Sequence, residues 1–350
     1  MVELEENYRN IVVIGASAGG LEAILAIVEE LPEDLGAAVF VVQHIPSYAR
    51  SNIDRVIQSH TKLRVTQPID GSRIEPNTIY IARADRHLMV EPGRVVVSKG
   101  PRENRFRPAV DALFRSAAHA YRDRVIGVVV SGALNDGSSG TWTIKRFGGT
   151  SIVQDPDEAM FSDMPRETMQ YTEVDHVLPA SQIGQLLGTL CRKEITPSTG
   201  NGHSEEEAAK VELEIAVAKG ANGMKMGILD IGNPSSLACP ECHGVLAKFQ
   251  EGRLLRFRCH TGHAHTVESL LASVNDNVEK SMWEVMRGME ESKVLLDTLA
   301  EQMEHAQDYE MAAVYRQRAA ASQEQAVRVQ LAIEESDLSA AGSEALPHIQ

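Results

Sequence analysis

Three observations predict an α/β protein built on a doubly wound, mostly parallel sheet and followed by two smaller parts. Between residue 11 and about 192, short Val/Ile-rich runs alternate with amphipathic stretches, the pattern of strands joined by helical crossovers. Three cysteines crowd between positions 239 and 259 beside histidines, which marks off a compact module. From Val267 to about Ser336 apolar residues recur at helical spacing with a break near Gln307 and Asp308, as in a helical hairpin.

The strand runs are 11–14, 39–42, 79–82, 125–130 and 151–154, and 88–97 reads as a hairpin turning at Glu91-Pro92-Gly93-Arg94. Helices fall on Leu21 to Leu31, Ser51 to His60, Pro108 to Tyr121 and Thr141 to Phe147. From about 195 the composition changes. Pro197 to Gly202 reads as a loop, and Ser204 followed by Glu205, Glu206 and Glu207 reads as a capped, acidic helix start. The expected organisation is a first domain over 1–193, a linker with a short acidic helix over 194–235, the Cys/His module over 236–266, a helical hairpin over 267–336 and a flexible tail over 337–350.

The formal charge of −15 and pI near 5.3 argue against nucleic acid as the partner. No run approaches the roughly 20 apolar residues that span a bilayer. Met1 to Asn10 is polar and acidic, unlike a secretory signal, so the expected location is cytoplasmic, with no insertion into the membrane. Four cysteines in 350 residues do not make a disulfide framework, and Cys191, alone at a helix end, reads as a packed thiol.

Chemistry gathers at the predicted strand ends. Gly15-Ala16-Ser17-Ala18-Gly19-Gly20 follows the run ending at Ile14, Gln43-His44-Ile45-Pro46 follows Val39 to Val42, and Ser131 through Asn135-Asp136-Gly137 follows Val125 to Val130. In a parallel sheet these ends share one edge, where open α/β folds build their sites. Ser17, His44 and Asp136 are therefore a candidate nucleophile, base and orienting carboxylate. Gly15 to Gly19 satisfies G-x-S-x-G, in which a sharp strand-to-helix turn lifts the serine out. Alternatives stand beside this. The same turn could cradle a nucleotide phosphate, His44 could be structural, and Asp136 could cap the helix starting near Ser138. The order Ser, His, Asp differs from the Ser, Asp, His of α/β-hydrolases.

Taken with Phe106-Arg107-Pro108-Ala109-Val110-Asp111, Gln154-Asp155 and Met164-Pro165, these motifs make residues 11 to about 190 resemble the catalytic domain of CheB-type protein-glutamate methylesterases. The resemblance implies a CheB-like fold and a serine hydrolase that removes methyl groups from glutamyl esters of a methyl-accepting chemoreceptor or related signalling protein. Deamidation of glutamine is a second implied activity, and no catalytic cofactor is implied. By motif position it assigns Ser17, His44 and Asp136 to catalysis, with Ala18, Gly19, Ala133 and Arg107 facing substrate. Arg107, with Arg102 and Arg105, could accept an acidic receptor helix or could simply be a solvated basic loop. This chain departs from the family at Ala18, usually Thr or similar, and at Ala133-Leu134, commonly Met-Gly or Thr-Gly. Because the first strand begins near residue 11, an N-terminal receiver domain is not expected, and a separate regulator would take its place.

In the second region, Cys239-Pro240-Glu241-Cys242 and Cys259-His260-Thr261-Gly262-His263 flank a predicted hairpin with Glu251-Gly252 at its tip. Cys239, Cys242, Cys259 and His263 suit a structural zinc in a zinc-ribbon-like module, and a redox Cys-x-x-Cys pair is the competing reading. His263 is preferred to His260, His265 and His243 because Gly262 supplies the turn and because relatives with a similar extension carry Gly-His there. The apolar stripe beyond it reads as hairpin packing or, alternatively, as a Met-rich partner surface, in which case the chain would be a sensory scaffold with weak catalysis.

Overall fold

The computed structural model describes residues 4, 7–48, 52–195 and 204–335; the loop read at Pro197 to Gly202 and the tail 337–350 lie outside the described residues. The strands in chain order are β1 (Ile11–Ala16), β2 (Ala38–Gln43), β3 (Arg64–Thr66), β4 (Thr78–Ile81), β5 (His87–Glu91), β6 (Arg94–Ser98), β7 (Val125–Val129), β8 (Thr150–Gln154) and β9 (His176–Leu178). Between them run α1 (Gly20–Glu29), α2 (Ile53–Gln58), α3 (Val110–Tyr121), α4 (Ser138–Arg146), α5 (Asp163–Tyr171) and α6 (Ala180–Leu190). There follow α7 (Glu205–Ala218), β10 (Asn233–Ala238), β11 (Val245–Glu251), β12 (Leu254–Cys259), β13 (Ala264–Thr266), α8 (Val267–His305) and α9 (Tyr309–Glu335).

Seven strands pair in parallel in the order β3-β4-β2-β1-β7-β8-β9. The Val/Ile runs are continuous because both faces of this sheet are covered. Val12, Ile14, Val39, Val41, Ile126 and Val128 pack in one core with Ile24, Ile27, Ile183 and Leu187 of α1 and α6. The alternate residues Ile11, Val13, Phe40, Val42 and Val129 pack in the other with Leu113, Phe114 and Ile144 of α3 and α4. Strand order reverses between β1 and β7, so the crevice at a topological switch point opens beside the C-terminal end of β1. The short outer strands β3 and β9 carry too few residues to register as apolar runs.

The chain divides into two compact units, Met1–Ser269 and Leu270–Gln350. The first includes the segments read as linker and module. β10-β11-β12-β13 form a four-stranded antiparallel sheet, in which the expected hairpin is β11/β12. What joins these segments to α3 is a buried cluster of charge. Arg115 of α3 meets Glu103 at 2.7 Å and Glu214 of α7 at 3.4 Å, Arg256 meets Glu214 at 3.0 Å and Glu251 at 2.5 Å, and Arg258 meets Glu214 at 2.6 Å and Glu103 at 3.1 Å. Such pairing depends on residues scattered over 155 positions of chain, which local composition does not reveal.

In the second unit, α9 buries Ala312, Ala319, Ala326 and Ile333, a seven-residue repeat that forms one narrow seam. Ser322 Oγ donates to the Met289 carbonyl at 2.8 Å, and Arg316 pairs with Glu304 at 2.9 Å. Leu271, Val274, Val278, Val285, Leu295 and Leu299 of the predicted stripe are exposed, since each of two helices covers only one flank of the other.

Candidate active site

Each candidate side chain sits one step beyond a central strand. Ala16 of β1 is registered with Gln43 of β2, so Ser17 and His44 emerge side by side; the His44 N–H donates to the Ala16 carbonyl at 2.9 Å and the Ser17 N–H to the Ser131 carbonyl at 3.0 Å. Gly15 is required here because a Cβ would lie 2.2 Å from Val110 Cγ1 of α3, and Gly19 turns the chain at φ 65° into the first turn of α1. These glycines are closed over by Val110, Met160 and Ser131, so the turn is packed against protein, unlike a phosphate cradle. Gln43 Nε2 donates to the Ser17 carbonyl at 2.6 Å and steadies the elbow.

His44 is buried, and its ring stacks on Phe106 with centroids 3.7 Å apart and planes 10° from parallel. Its Nε2 lies 2.8 Å from Asp136 Oδ2. Its Nδ1 is buried without a hydrogen-bond partner and is the nitrogen left to take a proton. The structure thus joins His44 to Asp136 by side chains and to Ser17 by backbone; it holds no hydrogen bond between the Ser17 hydroxyl and His44, a contact that commonly tightens only once substrate is bound.

Asp136 is fully enclosed. It accepts from Val110 N–H at 2.7 Å, Asp111 N–H at 3.1 Å and Asn104 Nδ2 at 3.0 Å besides His44. Burial would push its acidity down, yet the His44 contact, the Val110 N–H and the Asn104 amide together hold its pKa below the usual carboxylate range. The capping role weighed from sequence is real but falls on a different helix. Asp136 caps α3, while Asp111 of α3 caps α4 by accepting from Gly137 N–H at 3.0 Å and Gly140 N–H at 2.7 Å. Burial and then the neighbouring Asp136 charge push Asp111 up to about 8, the opposite direction from Asp136.

Ala18, Gly19 and Ala133 are partly exposed; Gly19 closes against Met160 and Ser131, and Gly132, next to Ala133, closes against Ser17. Arg107 is engaged within the protein: its Nε donates to Asp85 at 2.9 Å and its Nη1 to the Gly100 carbonyl at 2.7 Å. Arg102 reaches Glu241 at 3.7 Å. The residues that sequence reasoning passed over are Gln43, Asn104, Phe106 and Asp111. Gln43, Phe106 and Asp111 lie in quoted motifs, and a charged pair at i and i+4, Asp111 and Arg115, on a largely apolar helix was an available signal.

In the module, one ligand atom from each of Cys239, Cys242, Cys259 and His263 lies within 4.8 Å of the others. Cys242 and Cys259 sulfurs are 3.5 Å apart, and His263 Nδ1 is 3.6 Å from Cys259 and 3.8 Å from Cys239. Tetrahedral zinc with its usual bond lengths places sulfurs about 3.8 Å apart and sulfur about 3.6 Å from nitrogen, so the donor set fits this metal. His265 Nε2 also comes within 3.8 Å of Cys239, though outside the four-residue group. Burial pushes the Cys191 thiol up to about 12, as befits a packed residue.

Residues 12–187 match the family model for the CheB methylesterase. The chain belongs to the CheB methylesterase family. A Leptospira interrogans relative, 36% identical over 181 residues covering 51% of this chain and 93% of its own, is provisionally named a protein-glutamate methylesterase/protein-glutamine glutaminase. A Methanosarcina acetivorans protein bearing that name is 36% identical over 51% of this chain and 52% of its own length. The crystal structure of the Thermotoga maritima CheB methylesterase catalytic domain is 34% identical, with a TM-score of 0.50 over 52% of this chain and 98% of that one. The CheB likeness ends with α6, and the module and hairpin lie beyond it. Within the CheB region, Leu134 stands at φ 63°, a left-handed conformation that suits the glycine of the family pattern and strains a leucine. Among the described residues no helix is long and apolar enough to cross a membrane.

Proposed function

We propose that this protein is a cytoplasmic protein-glutamate methylesterase acting on a methyl-accepting chemoreceptor or related signalling protein, with glutamine deamidation as a second activity. Ser17 Oγ attacks the ester carbonyl while His44 Nδ1 takes its proton. His44 returns that proton to the departing methanol, and water admitted by the same base hydrolyses the acyl-enzyme. Asp136 keeps the imidazole oriented and balances its charge. N–H groups at the start of α1 face the developing oxyanion. Ala18, Gly19 and Ala133 form the wall against which the glutamyl side chain lies, and Arg107, held by Asp85 and the Gly100 carbonyl, shapes the loop beside it. The observation that carries this reading is the 2.8 Å His44–Asp136 contact at the edge where Ser17 leaves β1. Ser17→Ala should abolish methanol release from methylated receptor with the fold unchanged by circular dichroism; unchanged release would remove the mechanism.

We further propose that Cys239, Cys242, Cys259 and His263 bind one structural zinc. The support is the chemistry and spacing of the donors. Elemental analysis should find one zinc per chain, lost in Cys259→Ser; a metal-free native protein would exclude it.

A further inference from the structure

Asn104 is buried and is held on four sides by polar groups. Its amide nitrogen donates to Asp136 Oδ1 at 3.0 Å and to Asp111 Oδ2 at 2.8 Å. Its carbonyl oxygen accepts from Thr266 N–H at 3.2 Å and from Ser269 Oγ at 3.3 Å. A backbone N–H can only donate, so the amide has to present oxygen to Thr266 and nitrogen to the two carboxylates. Asn104 and Arg105 stand at φ 49° and 76°, a conformation that non-glycine residues keep only when their surroundings impose it. The surroundings are β13. Asn104 N–H donates to the Ala264 carbonyl at 2.8 Å, and Ala264 N–H to the Arg102 carbonyl at 3.2 Å. Two residues on, Phe106 stacks against His44. One loop therefore touches both the base and the carboxylate of the triad, and it leans on a strand that lies outside the family match.

We propose that Asn104 is a positioning residue for Asp136, and that β13 with the first turn of α8 holds it in place, so that the Cys/His module is a working wall of the esterase site. This rests on the triad reading above. The groups facing Asp136 are His44 from β2, Asp111 from α3 and His87 from β5, with Arg115 and Arg256 behind Asp111. Asn104 is the neutral donor that lets two carboxylates share this space.

The test compares full-length wild type, Asn104→Asp and Asn104→Ala for methanol release and for phosphonylation of Ser17 by a fluorophosphonate, each across pH. Asn104→Asp keeps the shape and the acceptor toward Thr266 but replaces the donor with a third carboxylate. Both variants should lose about 10²-fold in kcat with KM unchanged, because orientation of the base is what is lost. Losing a donor raises the pKa of Asp136, so the acid limb of the profile should move to higher pH, most in Asn104→Asp. Wild-type rates in Asn104→Asp, with a loss in Asn104→Ala alone, would mean packing only and would overturn the proposal. Should Asn104→Ala fail to fold, Ser269→Ala takes its place, with a smaller shift in the same direction expected and an unchanged profile counting against the module's part. A wild-type Ser17 that resists the probe would instead sink the triad reading, and labelling without methanol release would sink the ester substrate alone.

Discussion

Two buried clusters of charge meet at residues 103 and 104, and they are built in opposite ways. On the Glu103 side, three carboxylates (Glu103, Glu214, Glu251) face three guanidiniums (Arg115, Arg256, Arg258), all paired, and Glu214 is held far below the usual carboxylate range against the pull of burial by Arg115, Arg256 and Arg258. On the Asn104 side, Asp111 and Asp136 share one amide and the imidazole of His44 bonds only Asp136, so their acidities split apart. A balanced cluster fixes which segments pack together. An unbalanced one keeps a proton poised beside a base, which is how acid and base roles are divided in many enzymes.

The largest effect that tests this contrast comes from Arg258→Met. It strips Glu103 and Glu214 of a partner at zero exposure and should cost about 3–5 kcal/mol in urea unfolding. A loss below about 1 kcal/mol would show that the balanced cluster does not bind α7 and the module to α3.

Next comes Asp111→Asn. Because Asp111 rises from 3.8 to about 8 on folding, the native state binds a proton that the unfolded chain releases, and this group makes stability fall as pH climbs between those values. The slope is at most about 1.4 kcal/mol per pH unit. Asp111→Asn should flatten it, and an unchanged stability–pH curve would mean that the pair does not share a proton.

The smallest effect is Leu134→Gly. Relief of the left-handed leucine should raise stability by about 1 kcal/mol, read as a higher Tm. A lower Tm would mean that the leucine side chain contributes packing that outweighs its backbone strain.

The sequence was sufficient for whatever depends on local pattern. Fully buried parallel strands read as unbroken Val/Ile runs, and the residues after β1, β2 and β7 could be placed on one edge from strand direction alone. The paired Cys/His turns were legible because donors that gather in one place in pairs recur at short spacing in the chain. The helix break near Gln307 was likewise legible, and Gln307 stands at φ 62°.

The tertiary structure alone decided how these parts support one another. Asp136 caps α3 rather than the helix that follows it, because α3 lies across the end of β7 and presents the N–H groups of Val110 and Asp111. Segments that read as a linker and a separate module belong with the sheet, since Glu214, Arg256 and Arg258 find their partners on α3 and the 102–106 loop. Periodicity is a property of neighbours in the chain. Hydrogen bonds and ion pairs between residues 104 and 266, or 103 and 258, are set by packing, and a local reading of the chain has no term for them.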